Sequence, residues 1–125
     1  FRAGICLYPV TDLLDPGLVA DKFESHFMDR AVGLLPQAEE RYRQRSPLYH
    51  SDQIKDPVAL FHGSLDTAVP VGQSQQIAAT LRAQGVPVLF QIYEGEGHGF
   101  RQAENLSNCY QQIERFLQEH LNRAE

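Results

Sequence analysis

The sequence predicts an α/β fold in which a mostly parallel sheet carries helices on both faces. Three short apolar runs read as buried strands, and stretches with a 3.6-residue apolar period lie between and after them. Their order is strand, helical excursion, strand, helix, strand, helix. A right-handed crossover joins parallel neighbours in such an order, which is why the sheet is expected to be parallel.

The first strand is Ala3 to Val10 (AGICLYPV), closed by Pro9 and the polar Thr11-Asp12, and expected to be buried on both faces. The stretch from Thr11 to Gln53 is less regular. Helices are expected near Leu18 to Met28 and Pro36 to Arg45, the second with proline at its N1 position, before Ser46-Pro47 breaks the pattern. Pro57 to His62 (PVALFH) is the second strand and ends at Gly63. From Val71 to Gln84, Ile77, Ala78 and Leu81 share one helical face, and Gly85 stands where a left-handed C-cap is needed. Pro87 to Tyr93 (PVLFQIY) is the third strand. Asn105 is expected to cap the last helix, whose apolar face is Leu106, Cys109, Tyr110, Ile113, Phe116, Leu117 and Leu121.

With 42% hydrophobic and 22% charged residues over 125 positions, the chain can build one domain with a core but not two. A net charge of −5 excludes a cationic footprint for a phosphate backbone, so nucleic acid is not an expected partner. No run approaches the roughly 20 apolar residues of a membrane span. Cys6 and Cys109 offer no disulfide framework and no CxxC site, and read as buried free thiols. The five histidines are scattered without metal-ligand spacing, so neither metal nor cofactor is expected.

In open parallel sheets chemistry gathers at the carboxyl ends of the strands. Two loops fall there. HGSLDTAVP, residues 62–70, delivers Asp66 ahead of a helix, and EGEGHGF, residues 94–100, holds His98 among glycines that let the chain turn sharply. A histidine used as a general base needs one ring nitrogen exposed and the other fixed by a partner. Asp66 is a suitable partner, because neighbouring parallel strands bring both loop tips to one edge. Taken alone, Asp66 reads more readily as a turn or capping residue, and His98 as readily as a surface histidine on a glycine turn. Together they form the acid and base of a nucleophilic triad.

The nucleophile is missing. None of Ser25, Ser46, Ser51, Ser64, Ser74 and Ser107 lies in a G-x-S-x-G elbow, and Ser64 is too close to Asp66 in the same loop to face the histidine across a site. Cys6 lies inside a strand and Cys109 on the apolar face of a helix.

The loops, their order and their spacing resemble the C-terminal part of the catalytic α/β-hydrolase domain of the prolyl oligopeptidase family, on its acylaminoacyl-peptidase and dipeptidyl-peptidase-like branch. The resemblance rests on Lys22-Phe23-Glu24-Ser25, Arg45-Ser46-Pro47, Ile54-Lys55-Asp56-Pro57, HGSLDTAVP, LRAQGVPV (residues 81–88) and GEGHGF (residues 95–100). It implies a partial α/β-hydrolase fold over residues 1–125, with Asp66 as triad acid and His98 as triad base. It also implies that the serine and the oxyanion hole precede Phe1, so the chain alone is expected to be inactive.

The substrate implied by the resemblance is a peptide bond. An esterase or dienelactone-hydrolase-like enzyme carries a similar Asp and His, and a non-catalytic interaction module keeping only the fold is a third reading. Without a preceding strand, the 3–10 edge is expected to self-associate. Two cysteines outside any framework point to the cytoplasm.

Overall fold

The computed structural model describes residues 1–19 and 25–122. Its sheet has the order β1-β2-β3, from β1 (Gly4–Leu7), β2 (Val58–Gly63) and β3 (Val88–Tyr93), and both pairs are parallel. In register, Cys6 lies beside Leu60, and Leu60 beside Phe90. Helices α1 (Pro16–Val19), α2 (Ser25–Ala31) and α3 (Glu39–Gln44) follow β1, then a 310 segment, Pro47–Gln53. Helix α4 (Gly72–Ala83) crosses from β2 to β3, and α5 (Ala103–Leu121) follows β3.

The period-2 alternation of β2 divides the core between two faces. Ala59 and Phe61 point to one side, where they pack with Tyr93, Cys109 and Phe116 under α5. Leu60 points to the other, where Ile77, Ala78 and Leu81 of α4 cover it together with Val86. A central strand buried on both faces must be apolar at nearly every position, and VALFHG is so except at its last two residues. Those two belong to the site.

The strands are shorter than, or shifted from, the apolar runs that announced them. Pro57 and Pro87 lie outside the ladder because proline has no N–H, yet their carbonyls accept from Gly4 N–H at 2.8 Å and Val58 N–H at 3.0 Å. β1 stops at Leu7 rather than Val10, because Tyr8 turns to φ 39° and Pro9 follows it. β1 packs into the core on both faces, Ile5 on the α5 side and Cys6 on the α4 side, but is only half-buried, with Leu7 40% exposed. The reason is its place at the sheet edge.

Helix starts differ more. Pro36 is not the first residue of a helix: its carbonyl accepts from Glu39 N–H at 3.1 Å in a turn, and α3 begins only after it. Residues 20–24 of the expected Leu18 to Met28 helix, and with them most of the Lys22-Phe23-Glu24-Ser25 stretch, lie outside the described residues. Asn105 does not cap α5. The helix begins at Ala103, Asn105 lies within its first turn, and the N–H groups of Arg101 and Gln102 are taken by the Glu96 carboxylate at 2.8 and 3.3 Å. The end of α4 is as expected: Gly85 at φ 81° donates to the Arg82 carbonyl and Val86 to that of Leu81, both at 3.0 Å, the two bonds of a Schellman motif.

A buried amide ties the excursion after β1 to α4. Gln73 Oε1 accepts from the N–H groups of Thr11 (2.7 Å) and Asp12 (2.9 Å), and its Nε2 donates to the Asp12 carbonyl at 2.8 Å. Ser46 joins the two ends of the excursion to each other, accepting from Leu13 N–H and donating to the Tyr42 carbonyl. Among the described residues, no helix is long and apolar enough to cross a membrane.

Candidate active site

The carboxyl ends of β2 and β3 release their loops side by side, and backbone bonds join them directly. Ser64 N–H donates to the Tyr93 carbonyl at 3.0 Å and Leu65 N–H to the Glu96 carbonyl at 2.9 Å, while Ser64 Oγ accepts from Gly95 N–H at 2.9 Å. Ser64 therefore fastens the two loops. In the second loop Gly95 and Gly99 take φ values of 81° and 103°, which a side chain would strain, whereas Gly97 does not need that freedom.

Asp66 is held at both oxygens. Oδ1 accepts from Ala68 N–H at 3.0 Å and Val69 N–H at 2.8 Å, which closes an Asx-type turn. Oδ2 lies 2.9 Å from His98 Nδ1. The Asp66 side chain is fully buried and that of His98 is 45% exposed, so a carboxylate shielded from water faces an imidazole that water or substrate can reach. An ionised carboxylate can only accept, so Nδ1 carries the proton, and in the neutral ring Nε2 is the nitrogen with the lone pair. The turn and the contact with His98 both form, each using a different oxygen.

The imidazole has a second support. The Tyr8 ring lies 4.6 Å from it, centroid to centroid, tilted by 57°, and Phe100 packs edge-on against Tyr8 at 5.7 Å. Tyr8 reaches this place because β1 turns at φ 39° immediately after Leu7, with Tyr8 N–H bonded to the Phe61 carbonyl. Below the site, burial first, with Cys109 next to it, pushes the Tyr93 hydroxyl up to about 12, and burial raises both cysteine thiols. Both thiols are free, Cys109 buried and Cys6 partly so.

Sequence reasoning missed four contributors. His62 and Glu96 are buried polar residues within the very loops it singled out, and the His62 to Asp66 spacing of four was the available signal. Tyr8 and Gln73 reach the site or its scaffold only through the chain's path, and nothing local marks them. A cleft of about 410 Å³ between β3 and α5 lies at the opposite, amino end of β3, lined by Pro87, Val88, Phe116 and His120, and has no part in this arrangement.

Residues 1–124 match the sequence model of the prolyl oligopeptidase family. The chain belongs to this family. Within the prolyl oligopeptidase family and its neighbours it is similar to a puromycin-hydrolyzing peptidase of Mycobacterium tuberculosis, at 32% identity and a TM-score of 0.93 over 99% of this chain and 19% of that one. It is also similar to an acylaminoacyl peptidase solved with Z-Gly-Gly-Phe-chloromethyl ketone, at 26% identity and a TM-score of 0.88 over 100% of this chain and 21% of that one. Dipeptidyl peptidase family member 6 of Caenorhabditis elegans is 33% identical over 83 residues, 66% of this chain. The chain spans 11% of that relative's length, and so about a tenth of it. The parallel sheet with helices matches these α/β-hydrolase neighbours.

Proposed function

We propose that this chain carries the acid and base of a serine peptidase of the prolyl oligopeptidase family, Asp66 and His98, as the C-terminal part of its catalytic domain. The serine and the oxyanion hole belong to a segment outside residues 1–125. The carrying observation is the 2.9 Å contact between Asp66 Oδ2 and His98 Nδ1, with Asp66 Oδ1 anchored by two backbone N–H groups.

The chemistry follows from that tautomer. His98 Nε2 removes the proton from the serine hydroxyl as its oxygen attacks the peptide carbonyl, and later returns it to the leaving amine. Asp66 stabilises the imidazolium formed between the two transfers without taking its proton. Water then hydrolyses the acyl-enzyme by the same relay, and no cofactor enters. The names of the similar proteins, dipeptidyl and acylaminoacyl peptidases among them, support a peptide substrate. The free thiols fit a reducing compartment such as the cytoplasm.

The test uses the polypeptide that joins residues 1–125 to the nucleophile segment, assayed on aminoacyl-nitroanilides and on short acyl esters. Asp66→Asn keeps the oxygen that Ala68 and Val69 need but offers His98 the wrong partner, so kcat on the amide substrate is expected to fall roughly 10³- to 10⁴-fold. Residues 1–125 alone are expected to hydrolyse neither substrate and to take no fluorophosphonate label. Three outcomes overturn the proposal. A labelled serine within this chain is one, and ester turnover without amide turnover is another, which would favour the esterase reading in keeping with a thermophilic esterase of TM-score 0.64 and 26% identity. The third is a joined polypeptide without any turnover, the interaction-module outcome, for which inactive dipeptidyl peptidase 10 of Rattus norvegicus, 26% identical over 99 residues, is a precedent among its relatives.

A further inference from the structure

His62 is the last residue of β2 before Gly63, and it is fully buried. Both of its ring nitrogens are engaged. Nε2 lies 2.8 Å from the Val69 carbonyl and Nδ1 lies 2.7 Å from Ser74 Oγ on α4. A carbonyl can only accept, so Nε2 carries a proton and donates it to Val69. In the neutral ring Nδ1 is then the acceptor, and the Ser74 hydroxyl donates to it.

The same Nε2–H faces Asp66 Oδ2 at 3.3 Å, the oxygen that receives His98 Nδ1–H at 2.9 Å. Val69, whose carbonyl His62 holds, returns its own N–H to Asp66 Oδ1 at 2.8 Å. His62 thus touches the acid-bearing loop on both sides of the carboxylate. The Nε2–H that holds the Val69 carbonyl also orients the carboxylate through Oδ2. Among the described residues, Asp66 is the titratable group that faces His62, and α4 meets the ring with an uncharged hydroxyl.

We propose that His62 is a positioning residue for the site: with its Nε2–H on the Val69 carbonyl and its Nδ1 engaged by Ser74, it holds that loop and turns Asp66 Oδ2 toward His98. The proposal rests on the triad roles assigned above to Asp66 and His98. It makes the buried histidine of the second strand part of the relay's scaffold without placing it against the substrate.

The test follows the His98 Nδ1–H proton by NMR in the chain labelled with ¹⁵N-histidine. In the wild-type chain this proton is expected to exchange slowly with water. His62→Gln keeps a donor at the Nε2 position and is expected to keep that protection. His62→Asn reaches only the Nδ1 position, and its His98 proton is expected to exchange about tenfold faster while the other amide signals stay native, the scale of one lost hydrogen bond. If His62→Asn does not fold, Ser74→Ala removes the partner that holds Nδ1, and with it the ring's placement, with the loss of one hydroxyl, and is expected to speed exchange in the same direction.

Wild-type protection in His62→Asn, or in Ser74→Ala where that variant stands in, overturns the proposal, as does a His62→Gln as poorly protected as His62→Asn. Asp66→Asn separates this from the reading beneath it: if the His98 proton is unchanged in Asp66→Asn, the Asp66–His98 pair itself has failed. In the joined enzyme, His62→Asn is expected to lower kcat with KM unchanged.

Discussion

Gly63 and Glu96 meet backbone to backbone. A Cβ on Gly63 would overlap the carbonyl carbon and oxygen of Glu96 and the carbonyl oxygen of Gly97, well inside van der Waals contact. The Glu96 carbonyl also receives Leu65 N–H at 2.9 Å, so the loop carrying His98 lies directly on the loop carrying Asp66. The distance between Asp66 and His98 is set here, by the smallest possible side chain at the end of the central strand.

Gly63→Ala therefore forces the two loops apart, since the atoms in its way are backbone atoms that no rotamer change can move. The expected cost is about 1–3 kcal/mol, the usual size of overpacking in a filled interior. A urea unfolding midpoint equal to the wild type would show that the loops yield freely. Loss of the slowly exchanging His98 Nδ1–H should accompany the destabilisation.

The carboxylate of Glu96 is buried at the start of α5, where it accepts from Arg101 N–H at 2.8 Å and from Gln102 N–H at 3.3 Å. Negative charge at a helix N-terminus is favourable, and the N–H groups it meets have no intrahelical partner. Glu96→Ala is expected to destabilise the chain by about 1–2 kcal/mol, as loss of a capping side chain does elsewhere. Glu96→Gln, which keeps an accepting oxygen, should lose less, and denaturant titration of the two variants compares them. Equal stability of Glu96→Ala and wild type would mean that the cap contributes nothing.

Alkaline pH should unfold the chain through Tyr93. Burial and the nearby Cys109 hold its hydroxyl up at about 12, and it donates to Asn108 Oδ1 at 2.7 Å, while in the unfolded chain it ionises near its ordinary value of about 10. The unfolded state releases this proton first. The stability it contributes is fully present below pH of about 10 and is lost as pH rises through about 12, at a slope of no more than about 1.4 kcal/mol per unit. Tyr93→Phe should flatten this limb in denaturation midpoints measured across the window. An equally steep limb in Tyr93→Phe would assign it to other groups.

Among the described residues, β1 pairs with β2 on one side only, and Leu7 on it is 40% exposed. Unpaired N–H and C=O groups beside apolar side chains template association. Residues 1–125 are expected to self-associate reversibly through this edge, and Leu7→Lys to reduce that association. Sedimentation velocity across a range of concentrations measures both, and a wild-type chain that stays monomeric at high concentration rules the edge out as a contact.

The strands and α4 were legible in the sequence because each is bounded by residues with one-way physics. Proline cannot donate to a ladder, so Pro57 and Pro87 mark where β2 and β3 begin. Gly85 alone tolerates the φ of 81° that ends α4. Asp66 and His98 were legible because glycines and strand ends announce their loops. The start of α5 was not, because its cap is a carboxylate six residues before Gln102 and not a neighbour in the helix. The early end of β1 was not legible either, since a tyrosine at φ 39° has no signature in the letters around it.

By itself the sequence determined the class of fold and the parallel order of its strands, and it pointed to the two residues proposed as acid and base. Periodicity, proline and glycine act over a few positions, and that range suffices for elements and loop tips. Only the tertiary structure decided what fixes those two residues. The Gly63–Glu96 contact, the Tyr8 ring over His98, the Gln73 clamp and His62 beside Asp66 join residues from separate loops, strands and helices. Such contacts depend on how strands twist and helices settle on them, so they exist only once the chain has closed around its core.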